Sequence, residues 1–387
     1  MFGLNTFASL LVAAQQCAMA PQASIHVAEP VKFDLTYDGS APLAASIYNP
    51  ANTFVAVHFA SLNVPKGGKL TLTSFDGVDS VTFAGGESKT NFFADWLTAG
   101  KGGVKITYDG PDFKPAAGAD DKPAPIFTID KYMAGKKGAV LESLCGDDKS
   151  KPAPCYATSE PAKTKTGKAV ARLFIGGEYP CTGWLVGSEG HLLTNNHCIG
   201  SADAAKNVQV ELGAECATCD DPLNQEPFEC KGTIVATDVA FVATDVGADF
   251  TLVKLNLKAN VDLAKYGYLQ MRPDGPKLNE EIAILGHPAG WPKRFAIVGQ
   301  NGKPGVVTNT SIESCQPDEF GYELDTQGGN SGSPVISTKD SSVVGIHNCG
   351  GCPDGPNGGI KINKVVDILK KLNSLPKDSI VGDKPAC

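Results

Sequence analysis

Gln327-Gly328-Gly329-Asn330-Ser331-Gly332-Ser333-Pro334 is the stretch on which the reading of this chain turns. Glycines flank Ser331, so the backbone can take angles closed to other residues and a second chain can approach closely. A nucleophilic serine needs such a turn, with backbone N–H groups free to face a developing oxyanion. The alternative is a glycine-rich β-turn that holds an ordinary serine.

Working outward, Gly190-His191-Leu192-Leu193-Thr194-Asn195-Asn196-His197-Cys198 is an apolar strand that ends in a histidine. A general base must be rigid yet reachable, and a strand end offers both. Cys181 lies across a hairpin from Cys198, and a bridge between them would staple the loop of His197; the alternative is a structural histidine. In Ala248-Asp249-Phe250-Thr251-Leu252-Val253 an acid enters an apolar strand, as a buried partner for an imidazole must. Asp245 and Asp238 are nearby rivals for that role.

The order His, Asp, Ser along the chain differs from the subtilisin and α/β-hydrolase orders. With the motifs CTGWLV, TNNHC, ADFTLVKL and GGNSGSPV in that order, residues 169 to about 372 resemble the trypsin-like serine peptidases. The resemblance implies an all-β, chymotrypsin-like double β-barrel with His197, Asp249 and Ser331 in the cleft. It implies an oxyanion hole from the N–H groups of Gly329 and Ser331, and acyl transfer at peptide bonds of protein or peptide substrates. Digestive trypsins pair a new Ile-Val N-terminus with an Asp before the nucleophile. Asn330 stands at that place here, and Ala169-Val170-Ala171-Arg172 is no Ile-Val start. Asn330, Gly345-Ile346-His347 and the run Gly286-His287-Pro288-Ala289-Gly290 are closer in style to the bacterial glutamyl and lysyl endopeptidases.

Two residues compete for the specificity pocket. Asp325 stands where trypsin-like enzymes place the carboxylate that receives Lys or Arg, and an unpaired buried carboxylate would select a cation strongly. His347 stands where glutamyl endopeptidases place a histidine that receives an acidic side chain. Either could instead be structural, Asp325 in a backbone network and His347 as a wall residue.

The chain has 387 residues, 42% of them hydrophobic, and a net charge of −8. Length suggests two domains. The scattered basic residues point away from nucleic-acid and membrane partners, and a monomer is expected. Phe7 to Ala14 is a short apolar run before Ala18-Met19-Ala20, which reads as a secretory signal over 1–20. The 12 cysteines fit an oxidising, extracellular destination, and removal of Cys17 with the signal leaves 11, an odd number. Cys145 and Cys155 could close a short loop. Cys315 is expected to pair with Cys349 or Cys352, and two of Cys216, Cys219 and Cys230 to tie a surface insertion. The Cys-x-x-Cys pairs mimic zinc spacing, but disulfides are favoured in an exported chain; no metal or cofactor is called for. Asn309-Thr310-Ser311 is a glycosylation sequon in an expected loop.

Residues 21 to about 115 read as strands with turns at Asp76-Gly77, Gly85-Gly86 and Asp109-Gly110, and a run rich in Pro, Ala, Gly and Asp over 111–125 reads as the start of a linker; 21–125 is taken as a small β-sandwich of propeptide or accessory role. His58 sits in one of its apolar strands and reads as structural. A linker with a disulfide loop is expected over 126–168, the peptidase domain over 169–375 with a C-terminal helix near Val365–Leu372, and a polar tail over 376–387. The Lys-rich stretch ending at Lys168-Ala169 could be cut to release the peptidase, as in a zymogen. Two other functions compete: a catalytically silent peptidase fold acting as a binding or inhibitor protein, and a carbohydrate- or surface-binding protein. An intact triad is what separates the first reading from both.

Overall fold

The computed structural model describes residues 25–51, 53–98, 102–110, 125–136 and 142–382. The expected signal segment, Cys17 and Cys387 lie outside these. The protein is mostly β. Alternation decides the strand faces: in Lys69–Ser74, Leu70 and Leu72 are buried while Lys69 is exposed.

The N-terminal part forms two antiparallel sheets. One orders the strands Ala28–Tyr37, Phe127–Gly135, Phe54–Asn63 and Ser88–Phe93, with Leu97–Thr98 pairing beside the last of these on Phe54–Asn63. The other orders Ala45–Tyr48, Gly103–Asp109, Lys69–Ser74 and Ser80–Ala84. Val55, Val57 and Phe59 of the first share an apolar cluster with Leu70, Leu72 and Ile106 of the second.

Six strands then close a barrel in the order Val170–Ile175, Tyr179–Val186, His191–Thr194, Phe250–Leu257, Thr233–Asp245 and Val208–Leu212. An eight-stranded antiparallel sheet follows, running from Lys151–Pro152 to Val307–Ile312 through Pro334–Ser337 and Val343–Cys349. The helix Ile362–Lys371 lays Val365, Val366 and Leu369 on the core.

Several expectations need correction. The segment expected as linker from 126 onward opens with Phe127–Gly135, a strand between two others, because its apolar residues complete the first sheet. Residues 142–152 are strapped to the C-terminal sheet through Glu142–Ser143 and Lys151–Pro152. Cys145 and Cys155 do not pair with each other. Cys145 bridges Cys352, Cys155 bridges Cys219, and Cys216 bridges Cys230. The remaining bridges among the described residues are Cys181–Cys198 and Cys315–Cys349. The Lys-rich junction is the helix Pro161–Gly167, with Lys163 and Thr166 buried. The expected tail is in part built in: the Met271 N–H donates to the Ser379 carbonyl (2.7 Å), and Ser379 is buried. Asn309 sits on the strand Val307–Ile312 rather than in a loop, with its side chain exposed.

Candidate active site

The strand His191–Thr194 is buried at Leu192, Leu193 and Thr194, and the chain leaves the barrel at Asn195. Asn195 is buried, and its Nδ2 donates to the Asp249 carbonyl (2.7 Å). This ties the two loops that carry His197 and Asp249. Asp249 lies in the left-handed region at φ 34°, at the turn between Thr233–Asp245 and Phe250–Leu257. An aspartate tolerates that region better than most residues. The turn aims the carboxylate at the histidine: Asp249 Oδ2 is 2.8 Å from His197 Nδ1, and Oδ1 accepts the His197 N–H at 3.0 Å. The rivals are engaged elsewhere. Asp245 accepts from the Ala248 N–H (2.7 Å), capping the same turn, and Asp238 accepts from Asn256 Nδ2 (2.5 Å).

Ser331 is 7% exposed and lines, with His197 and Gly329, a cavity of about 540 Å³. Two glycines of its loop are required. Gly329 is at φ 96°, where a Cβ would lie 2.7 Å from the His287 carbonyl oxygen. Gly332 is at φ 88°, where a Cβ would lie 2.1 Å from the Thr182 carbonyl oxygen. Thr182 braces the loop from the barrel, its N–H donating to the Ser331 carbonyl and its Oγ1 to the Gly329 carbonyl, both at 2.8 Å. The Gly328 carbonyl turns to the Ala289 N–H (2.6 Å), and the Asn330 N–H is spent on the Gln327 carbonyl (3.0 Å). Among the described residues, the N–H groups of Gly329 and Ser331 donate to no acceptor. Unpaired donors beside a cleft can receive an anion that develops there.

The two specificity candidates differ sharply. Asp325 is buried, and both its oxygens are engaged: Cys145 N–H donates to Oδ1 (2.9 Å), Lys149 N–H to Oδ2 (2.8 Å), and Gln300 Nε2 lies 3.0 Å from each. It holds the strap over 142–150. His347 is buried on the strand beside the Ser331 loop, where its carbonyl accepts the Gly332 N–H (2.9 Å). Its Nδ1 is 2.7 Å from the Tyr322 hydroxyl, which donates to the Gly358 carbonyl (2.9 Å). Burial, with His197 nearby, lowers the His347 pKa to about 3, so the imidazole is neutral at ordinary pH. In the N-terminal part, His58 is buried with Nδ1 2.5 Å from Asp130 Oδ1.

Sequence reasoning missed Asn348 and Glu319. Asn348 Nδ2 donates to Asp249 Oδ2 (3.2 Å), and a register shift after His347 turns it there. Glu319 is fully buried, its Oε1 accepting the Gln316 N–H (2.7 Å). Burial, with the Asp249 charge adding to it, pushes its pKa up to about 7. Cys216, Asp221 and Cys230 cluster as metal ligands would, but both cysteines are consumed in their mutual bridge.

At the rim of the barrel, the histidine, the aspartate and the glycine-flanked serine lie together. The family model described as a trypsin-like peptidase domain matches residues 181–346. The chain is also 37% identical over 345 residues to the secreted RxLR effector protein 73 of Plasmopara viticola, covering 86% of this chain and 83% of that protein. This chain belongs to the trypsin-like serine peptidase family. A shorter match, 36% over 97 residues, is to the glutamyl endopeptidase of Staphylococcus aureus and spans about a quarter of each (25% and 26%). Among solved structures it is similar to the Rv3671c protease in its inactive form, at 18% identity and a TM-score of 0.41, over 57% of this chain and 97% of that one.

Proposed function

We propose that this protein is a secreted serine endopeptidase in which Ser331 is the nucleophile, His197 the general base and Asp249 the residue that orients it. The observation that carries the reading is the union of three features in one cleft. These are the His197–Asp249 contact at 2.8 Å, Ser331 on the same cavity, and the unspent N–H groups of Gly329 and Ser331. His197 would take the Ser331 proton as Oγ attacks a peptide carbonyl, and Asp249 would steady the imidazolium. The carbonyl oxygen, now anionic, would sit on the two N–H groups. His197 would return the proton to the leaving amine, and water would release the acyl group from Ser331.

We read the closed barrel and the eight-stranded sheet as the two halves of a chymotrypsin-like domain, and the N-terminal sheets as a β-sandwich. The relative's name, a secreted effector, supports secretion. Of the two pocket candidates, His347 fits better. Asp325 has no oxygen left for a substrate cation, and a buried neutral imidazole can still donate or accept a hydrogen bond. The test is reaction with a fluorophosphonate probe beside Ser331→Ala. Labelling of the parent alone supports an activated Ser331. Absence of labelling in both would favour the silent binding protein.

A further inference from the structure

The N-terminal sheets are bolted to the barrel. Trp96 is fully buried, its N–H donating to Gln209 Oε1 (3.2 Å) and its carbonyl accepting Lys231 Nζ (2.7 Å). The buried Arg172 of the barrel stacks its guanidinium 5.4 Å from the Trp96 ring and 5.0 Å from Phe228. Phe54 packs edge-on to Phe174 at 5.3 Å. Phe54 and Trp96 of the N-terminal part and Phe174 and Phe228 of the barrel part thus share one buried apolar cluster.

From that anchor the first described residues run to the cleft. Val27 N–H donates to the Glu178 carbonyl (3.2 Å), and Lys136 N–H to the Val27 carbonyl (2.9 Å). His26 pairs with Glu178 and sits edge-on to Tyr179 at 4.7 Å. Ile25 is thereby pressed on the nucleophile loop, 6% exposed, and it lines the same cavity as His197 and Ser331. A Cβ on Gly328 would lie 2.2 Å from Ile25 Cδ1. Gly328, unlike Gly329, does not have the positive φ that favours glycine. A side chain at 328 would therefore meet the end of the Ile25 side chain, which would have to shift to admit it. Elsewhere the cavity wall is apolar at Ile175, Pro180 and the Cys181–Cys198 bridge.

We propose that Ile25 is a specificity-determining residue, the wall of an apolar subsite beside the scissile bond that takes an aliphatic side chain of the substrate. The N-terminal part is then retained in the working enzyme as a piece of its cleft. The proposal rests on the peptidase reading above. An apolar wall discriminates by size, and a methylene gained or lost there shifts selectivity by about tenfold or more.

The experiment starts with the full chain and the fluorophosphonate probe. A peptide library varied on both sides of the scissile bond is then read with the parent, Ile25→Ala and Ile25→Phe. The quantity is the ratio of kcat/KM between large and small aliphatic residues at one position. Both peptides compete in one sample, so partial misfolding of a variant cancels. The expected result is a shift of about tenfold, toward large residues in Ile25→Ala and toward small ones in Ile25→Phe. If the parent reacts with the probe but all three proteins share one profile, the proposal is overturned. Uniformly faster cleavage of all peptides by Ile25→Ala overturns it too, since Ile25 would then obstruct rather than select. A parent that does not react overturns the peptidase reading and this proposal with it.

Discussion

Asp249 holds His197 at two points, ring and backbone: Oδ2 lies 2.8 Å from Nδ1, and Oδ1 accepts the main-chain N–H at 3.0 Å. The second bond fixes where the loop sits, and the first fixes which ring nitrogen carries the proton. Asn348 shares Oδ2, and Asn195 holds the backbone behind it. Asp249→Asn keeps the shape but can present an N–H where the ring needs an acceptor. Single-turnover acylation of an ester substrate should fall by about 10⁴-fold, the scale of a wrong-tautomer triad. Thermal stability should change far less. A loss of activity below tenfold would remove Asp249 from the role assigned to it.

Asp325 is expected to matter for stability and not for substrate choice. Its oxygens accept two backbone N–H groups from the strap and the Gln300 amide. Asp325→Asn replaces one acceptor with a donor facing a donor. That leaves a buried N–H unpaired, at about 1–3 kcal/mol. Chemical denaturation should report this loss, while the ratio of cleavage after Lys to cleavage after Glu stays as in the parent. A collapse of Lys cleavage alone would restore Asp325 to the pocket.

Local backbone geometry was legible in the sequence, and long-range pairing was not. The glycines on both sides of Ser331 announced a tight turn, and Gly329 and Gly332 take positive φ there. The alternation of Lys69–Ser74 announced its own buried face. The strand Phe127–Gly135 was missed because a Pro- and Ala-rich run before it looked like the end of a domain, and strand pairing across the chain leaves no local mark. Cys145 offered Cys155 as a neighbour, yet its partner is Cys352, 207 residues away. Asp325 looked like a pocket residue by its distance from Ser331. Nothing local showed that a distant strap would occupy it. Ile25 carried no signal at all.

Two buried groups give stability opposite slopes with pH. Glu319 has a folded pKa of about 7 against an ordinary 4.5, so its share of stability is whole below about pH 4.5 and is lost as pH rises through 7. His347 has a folded pKa of about 3 against 6.5, so its share is whole above about pH 6.5 and is lost as pH falls toward 3. Between 4.5 and 6.5 the two oppose each other. Glu319→Gln removes one limb while keeping the shape. Holding the carboxyl at about 7 rather than 4.5 corresponds to about 3 kcal/mol. Relative to its standing at pH 4.5, the variant should gain that much on the parent by pH 8, read from urea midpoints. Parallel curves for parent and variant would show that Glu319 is already ionised when folded.

Cleavage after Lys168 should not free the peptidase part. Cys145 and Cys155 lie before that bond, and their partners Cys352 and Cys219 lie after it. A single cut there therefore leaves two covalent ties across the break. The cut is itself resisted, since Pro161–Gly167 is helical and the chain passes directly into the buried strand Val170–Ile175. A protease site engineered between Lys168 and Ala169 makes this measurable. After cutting, the fragments should run as one band without reductant and as two with it. With Cys145 and Cys155 both changed to Ser, the fragments should part in denaturant yet still co-elute in native buffer, because the aromatic core around Trp96 remains. Trp96→Ala added to that pair should let them separate, since truncating a buried tryptophan costs about 3–5 kcal/mol. Separation of the cut parent without reductant would show that the bridges do not span the junction. The N-terminal sheets could then leave as a propeptide.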